Sequence, residues 1–150
     1  MTGNDRMQAQ TTCARFRMPL RWLLIAAFLY AGLVHLTRPD FFMPIVPDWV
    51  PAPRLTVILT GWCEVCGALG LAVPRLRWIA GVMLAVYALC VFPANIKHAL
   101  GHVRVGGGTL GWWYHGPRLA VQPVIIWWCL FAGGVTRWPC ARRRHSTRSS

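Results

Sequence analysis

Acidic residues are scarce in this sequence, which has 4 Asp+Glu against 16 Lys+Arg and a formal charge of +12. In a soluble domain such an excess favours nucleic-acid binding. Here the basic residues lie between long apolar runs and at both ends, which is typical of membrane topology, so we predict no nucleic-acid partner. The sequence also lacks a phosphate-binding loop, a metal-hydrolase signature and a Ser-His-Asp arrangement, and we predict no metal site.

The sequence is rich in hydrophobic residues, which make up 55% of the chain and gather in four apolar runs. A helix that crosses the hydrocarbon core needs roughly 17–25 residues. The runs therefore predict an all-α fold, an integral membrane four-helix bundle over residues 20–136, with basic tails at 1–19 and 137–150. The predicted spans are 20–36, 55–73, 78–100 and 119–135.

The basic residues predict the orientation of this bundle, because cytoplasmic loops carry an excess of Lys and Arg. The two tails and the turn after the second run hold eleven positive charges, and the other two loops hold five. Both termini are thus predicted to be cytoplasmic, in a multi-pass protein of the cytoplasmic (inner) membrane. The Arg-rich tail would lie on anionic phospholipid. A cleaved signal peptide is the alternative for the first run, but no clear small-x-small site ends it.

Glu64 is the most informative polar residue, because an ionisable group within a span is costly and marks function by default. Three and four residues away along a helix lie only small residues, and the opposite stripe is large and apolar. Small residues mark close helix contacts, so Glu64 is predicted to face the interior. It would be a proton carrier or headgroup acceptor, or else a structural carboxylate that is neutral or paired with a cation.

Each of the other three runs also carries polar residues at a compatible depth, in the predicted outer half of the bilayer. Pro93 is expected to kink the third run. Agreement across four helices predicts a shared polar pocket. Its candidate residues are His35, Glu64, Asn95, His98, Arg118 and Gln122.

Across residues 28–130 the chain resembles the DoxX-like proteins, small four-helix membrane proteins mostly of bacteria. That resemblance implies a four-helix bundle in the cytoplasmic membrane and an association with redox systems, since relatives include a subunit of a thiosulfate–quinone oxidoreductase. Cys63-Glu64-Val65-Cys66 and Lys97 depart from the family pattern. The motifs that carry the resemblance are Ala31-Gly32, His35, Pro39, Phe42, Ile45-Val46-Pro47, Thr60-Gly61, Glu64, Gly67, Val91-Phe92-Pro93-Ala94-Asn95-Ile96, Arg118-Leu119, Gln122 and Trp127.

The six cysteines include a C-x-x-C pair, Cys63 and Cys66, which is the candidate for redox-active thiols. In redox sites this spacing works at a helix N-terminus, whereas here both lie within a predicted span. The interpretation as small packing residues is therefore favoured over redox activity, and a metal site formed by Cys66, Cys90 and Cys129 ranks last.

Three functions remain open. The first is a membrane subunit linked to a quinone or thiol/sulfur redox system, in which the pocket holds a non-covalent quinone and a partner protein supplies electrons. The second is a scaffold that anchors partners, whose polar groups only join helices. The third is a small transporter or proton path, against which the lack of an evident inverted repeat counts. The sequence leaves open whether this chain catalyses a reaction, and its oligomeric state.

Overall fold

The structure, a computed structural model, describes the backbone of residues 3–100, 112–136 and 138, and the side chains of residues 15–100, 116–117, 119–136 and 138. Over this part of the chain the fold is all-helical, as predicted, with no strand. The helices are α1 (Gly3–Thr37), α2 (Pro53–Ala72), α3 (Arg77–Cys90), α4 (Phe92–Leu100) and α5 (Trp112–Gly133).

Three segments are long and apolar enough to cross a membrane: Arg15–Thr37, Pro53–Ala72 and Arg77–Leu100. The fourth predicted span falls within α5, where the described apolar part is Leu119–Gly133. Helix α1 also extends into the predicted N-terminal tail, where it begins at Gly3. Hydropathy locates the apolar part of a helix but not its end, because a polar segment can continue the same backbone hydrogen bonding.

Proline explains the two irregular stretches. The third span is interrupted at Val91, between α3 and α4, two residues before Pro93. Proline has no N–H to donate to the preceding turn, so a break is expected there. Between α1 and α2, Pro39 and Pro44 lie in two short 3₁₀ turns, Pro39–Phe41 and Met43–Ile45. Pro53 occupies the first position of α2, where its missing N–H costs no helical hydrogen bond.

The long helices contact one another in a ring, in which α1 packs on α2, α2 on α3, α3 on α5 and α5 on α1. Glycines allow two of these contacts. A Cβ on Gly32 would lie 2.8 Å from the carbonyl oxygen of Gly61, and a Cβ on Gly81 would lie 2.8 Å from the Cα of Gly133. The absent side chains bring α1 close to α2 and α3 close to α5, as small residues do in membrane helices.

The surface of the ring carries large apolar side chains. Trp62 and Leu69 on α2 are each 54% exposed, whereas Glu64 on the same helix is 5% exposed. On a helix of a soluble protein the carboxyl would be exposed and the tryptophan buried. The opposite arrangement on α2 is typical of a helix whose outer face contacts lipid. Exposed apolar residues on the other helices include Trp22, Tyr30, Leu33, Trp78, Met83, Leu89 and Val124.

Candidate functional site

A cavity of about 860 Å³ lies between α1, α2, α3, α4 and α5 and the loop that joins α1 to α2. Most of its wall is apolar, with Phe28, Val57, Ile125 and Trp128 among the lining residues. The polar groups are few and lie on separate helices. Such a cavity, mostly apolar with a few placed polar groups, is typical of small-molecule binding sites.

Glu64 supplies the carboxyl group of this cavity. The Tyr87 hydroxyl donates a hydrogen bond to Glu64 Oε1 over 2.8 Å, which joins α3 to α2. The His35 ring nitrogen Nδ1 lies 3.0 Å from Glu64 Oε2, which brings α1 to the same carboxyl. Three helices thus contribute to the surroundings of one buried carboxyl. Polar partners are expected there, because burying such a group without them is costly.

The two oxygens of Glu64 are not equally satisfied. His35 Nδ1 also lies 2.8 Å from the Ala31 carbonyl oxygen, and one ring N–H donates well to only one of these acceptors. When that proton points to Ala31, Oε2 has no well-aligned donor among the described residues, although it is buried. The Nδ1–Oε2 contact is short but not aligned as a hydrogen bond, and angle as well as distance decides one. The carboxyl therefore keeps an acceptor for a ligand.

The glycine contact between α1 and α2 positions this pair. A Cβ on Gly61 would lie 2.9 Å from the His35 Cβ, and a Cβ on Gly32 would lie 3.1 Å from the Glu64 Cβ. Phe42 holds the other side of the His35 ring, stacked with ring centroids 3.9 Å apart. The imidazole is therefore fixed between an aromatic ring and the carboxyl.

A second polar group lies on the α4 and α5 side of the cavity. Asn95 Nδ2 donates to Gln122 Oε1 over 3.2 Å. Gln122 Nε2 in turn donates to the carbonyl oxygen of Ala88, which lies near the interruption between α3 and α4. These bonds join three helices, and they present amide groups to the same cavity as Glu64.

The loop between α1 and α2 forms part of the cavity wall through Phe42, Val46 and Trp49. Lys97 on α4 holds this loop: its Nζ donates to the Val46 carbonyl oxygen and to Asp48 Oδ1, each over 2.7 Å. Lys97 thus connects α4 to the loop that forms part of the cavity wall.

Replacing Lys97 by methionine is expected to loosen the loop, because it removes both hydrogen bonds and keeps the apolar stem. Amide hydrogen exchange at Val46, Asp48 and Trp49 should become about three- to tenfold faster, the range for one charge-assisted hydrogen bond on a partly exposed group. Arg54→Gln is the control, because its 3.6 Å ion pair with Asp40 is exposed on both sides and contributes little. Equal acceleration in both variants would contradict this role of Lys97.

Four of the six predicted pocket residues line the cavity: His35, Glu64, Asn95 and Gln122. His98 is buried, at 4% exposed, but is not part of the cavity wall. The Arg118 side chain lies outside the described residues. Sequence reasoning missed Tyr87, although a tyrosine in the middle of an apolar run, far from either interface, is a detectable signal.

The candidate redox thiols lie outside the cavity. Cys63 and Cys66 are free and exposed on the outer face of α2, and Cys129 is free and buried between α3 and α5. In the part of the chain that the structure describes, no group of three His, Cys, Asp or Glu side chains could hold a metal. The side chains of Cys13 and Cys140 lie outside that part.

The fold and the cavity define a helical protein with helices able to cross a membrane and a polar cluster buried among them. A family model described as a domain of unknown function (DUF8561) matches residues 24–133, so the chain belongs to that family. The match spans α2 to α4 completely and includes every polar residue of the cavity. No curated protein and no solved structure matches the chain.

Proposed function

We propose that this chain is a DoxX-like protein of the cytoplasmic membrane whose cavity binds a quinone-class ligand, as the membrane subunit of a quinone-linked or thiol/sulfur redox system. The observation that carries the proposal is the buried Glu64 carboxyl in the cavity wall, with Oε1 held by Tyr87 and Oε2 without a hydrogen-bond partner among the described residues. A ligand that reaches this oxygen needs a hydrogen-bond donor at one end and an apolar body.

The size and lining of the cavity support this ligand class. A volume of about 860 Å³ is in the usual range for small-molecule sites, about 300–1,000 Å³. A quinone takes up two electrons and two protons to become a quinol, and its ring and tail are apolar. As electrons arrive, the Glu64 carboxyl would supply a proton to a ring oxygen and then accept a hydrogen bond from the resulting hydroxyl, and the Asn95–Gln122 pair would orient the opposite side of the ring.

The electrons would come from a partner redox protein, because the sequence has no cofactor motif of its own. The exposed Cys63 and Cys66 thiols, which lie away from the cavity, are not part of the proposed ligand site. In this proposal the chain is the ligand-binding subunit, and the redox reaction requires its assembly with the partner protein.

The membrane arrangement that we propose has four spanning helices with both termini in the cytoplasm. Three of the spans are the candidates Arg15–Thr37, Pro53–Ala72 and Arg77–Leu100, and the fourth is α5, a helix of 22 residues. In this arrangement the loop that Lys97 holds lies on the outer side, and Glu64 is the deepest polar group of the cavity.

Reporter fusions test the orientation. A fusion after Arg144 should be active only as a cytoplasmic reporter, and a fusion at Gly107 only as an external one, because positive charge is concentrated at the tails. A fusion in the turn at Arg75 is the internal control and should match Arg144. The reverse pattern would overturn the orientation and move the cavity to the inner half of the bilayer.

Ligand titration tests the function. Trp49 and Trp128 line the cavity, so a short-chain quinol analogue added to the purified protein should quench tryptophan fluorescence saturably. Protein reconstituted into vesicles should show no proton flux. Quenching that never saturates would favour the scaffold, and a flux that Glu64→Gln stops would favour a transporter.

A further inference from the structure

Three arginines converge at the end of the ring opposite the α1–α2 loop. Arg17 Nη2 donates to the carbonyl oxygen of Thr136 over 3.3 Å, and Arg21 Nε donates to that of Ala132 over 2.9 Å. Arg77 donates to the last carbonyls of α2, and its own carbonyl oxygen lies against Gly133. The positive charges of Arg17 and Arg77 both act on Arg21.

No described acidic side chain offsets this charge. The sequence has 4 Asp+Glu, and Asp40, Asp48 and Glu64 are engaged with other residues near the cavity. The ends of α2 and α5 supply a partial charge of roughly −0.5 each. Roughly two positive charges therefore remain at this end of the ring.

Most of the donors in the cluster are also unused. A guanidinium has five N–H groups, and the described contacts engage one on Arg17, one on Arg21 and two on Arg77. Arg17 Nε is buried and has no hydrogen-bond partner among the described residues. The plane of Arg17 lies over the Phe131 ring at 4.7 Å, which fixes its orientation.

The position of the cluster indicates the chemistry of its ligand. Arg15–Thr37 and Arg77–Leu100 are candidate spans, so Arg17 and Arg77 lie within the first residues of two membrane-crossing segments. This is the depth of the lipid headgroups. The guanidinium fork matches the oxygens of a phosphate and binds them through two parallel hydrogen bonds.

We infer that Arg17, Arg21 and Arg77 form a site for a phosphate group, which the phosphodiester of an anionic phospholipid such as phosphatidylglycerol supplies. The bound headgroup offsets the mutual repulsion of the three arginines and joins α1 to the start of α3 and the end of α5. The site is separate from the cavity and does not depend on the quinone proposal.

Native mass spectrometry of the purified full chain tests this site. The wild-type protein should retain phosphatidylglycerol at least about fivefold more than phosphatidylcholine, and Arg17→Gln should lower that retention about fivefold, the effect expected for one basic residue at the membrane surface. Arg17 is the residue to change because it makes one long hydrogen bond, so the fold should survive. Arg75→Gln is the control, since Arg75 is exposed on the neighbouring turn.

Two further results decide the interpretation. Equal retention of both lipids by the wild type, or an equal loss in Arg17→Gln and Arg75→Gln, would overturn the site, because a diffuse positive surface explains either result. Inorganic phosphate and phosphatidylglycerol are then added separately to protein in lipid-free detergent. Phosphate should raise the melting temperature less than phosphatidylglycerol does. An equal rise would show that the phosphate group alone accounts for binding and would overturn the assignment to a phospholipid.

Discussion

Glu64→Gln is expected to weaken binding of a quinol analogue about 10- to 100-fold, the value of a hydrogen bond to a charged group. The amide oxygen can still accept from Tyr87, which now donates to Oε1 over 2.8 Å. The group at the Oε2 position, 3.0 Å from His35 Nδ1, then becomes an N–H₂ donor in place of an acceptor. Fluorescence titration of the purified variant measures the loss.

The matched control is Cys63→Ala, one residue earlier on α2. Cys63 is exposed on the outer face of the helix, whereas Glu64 is buried. The control should bind the analogue with unchanged affinity, and both variants should melt within a few degrees of the wild type. If Glu64→Gln binds as tightly as Cys63→Ala does, the carboxyl is not the ligand's acceptor, and a purely structural role for Glu64 is favoured.

Gly133→Ala is expected to destabilise the folded protein by about 1–3 kcal/mol, the cost of overpacking a close contact. The new Cβ would lie 2.8 Å from the Arg77 carbonyl oxygen and 2.8 Å from the Gly81 Cα. Both are backbone atoms, so no rotamer change relieves the clash and α3 must move away from α5. Thermal melting in mild detergent measures the destabilisation.

Gly116→Ala provides the control on the same helix. A Cβ at Gly116 meets nothing within 4 Å, and alanine favours a helix over glycine by up to about 1 kcal/mol. Pro117 follows and disfavours a helical residue with a Cβ, so the two effects oppose each other and Gly116→Ala should change the melting temperature much less than Gly133→Ala does. A loss of stability equal to that of Gly133→Ala would show that the contact between α3 and α5 is looser than described.

The helical fold and the inward position of Glu64 could be predicted from the sequence, because both follow from local periodicity. Apolar runs identify helices, and the small residues around Glu64, such as Gly61 and Gly67, mark the face that packs. The interruption near Pro93 is equally local, since it depends on one missing N–H.

The partners across the site could not be predicted in the same way. That Tyr87 bonds to Glu64 and that Lys97 holds the loop depends on how helices rotate against each other. The glycine contacts that set this rotation are not visible in hydropathy. His98 is an example: its spacing from Asn95 predicts a shared helix face, yet of these two residues only Asn95 lines the cavity.

The central claim is that the cavity around Glu64 holds a quinone in the native membrane. The most direct test purifies the wild-type protein and Glu64→Gln from that membrane in mild detergent, then assays total quinone in an oxidised organic extract. We predict about one quinone per chain in the wild type and a loss of it in Glu64→Gln, with both proteins folded. No quinone in either protein, or equal amounts in both, would contradict the claim and favour a membrane scaffold.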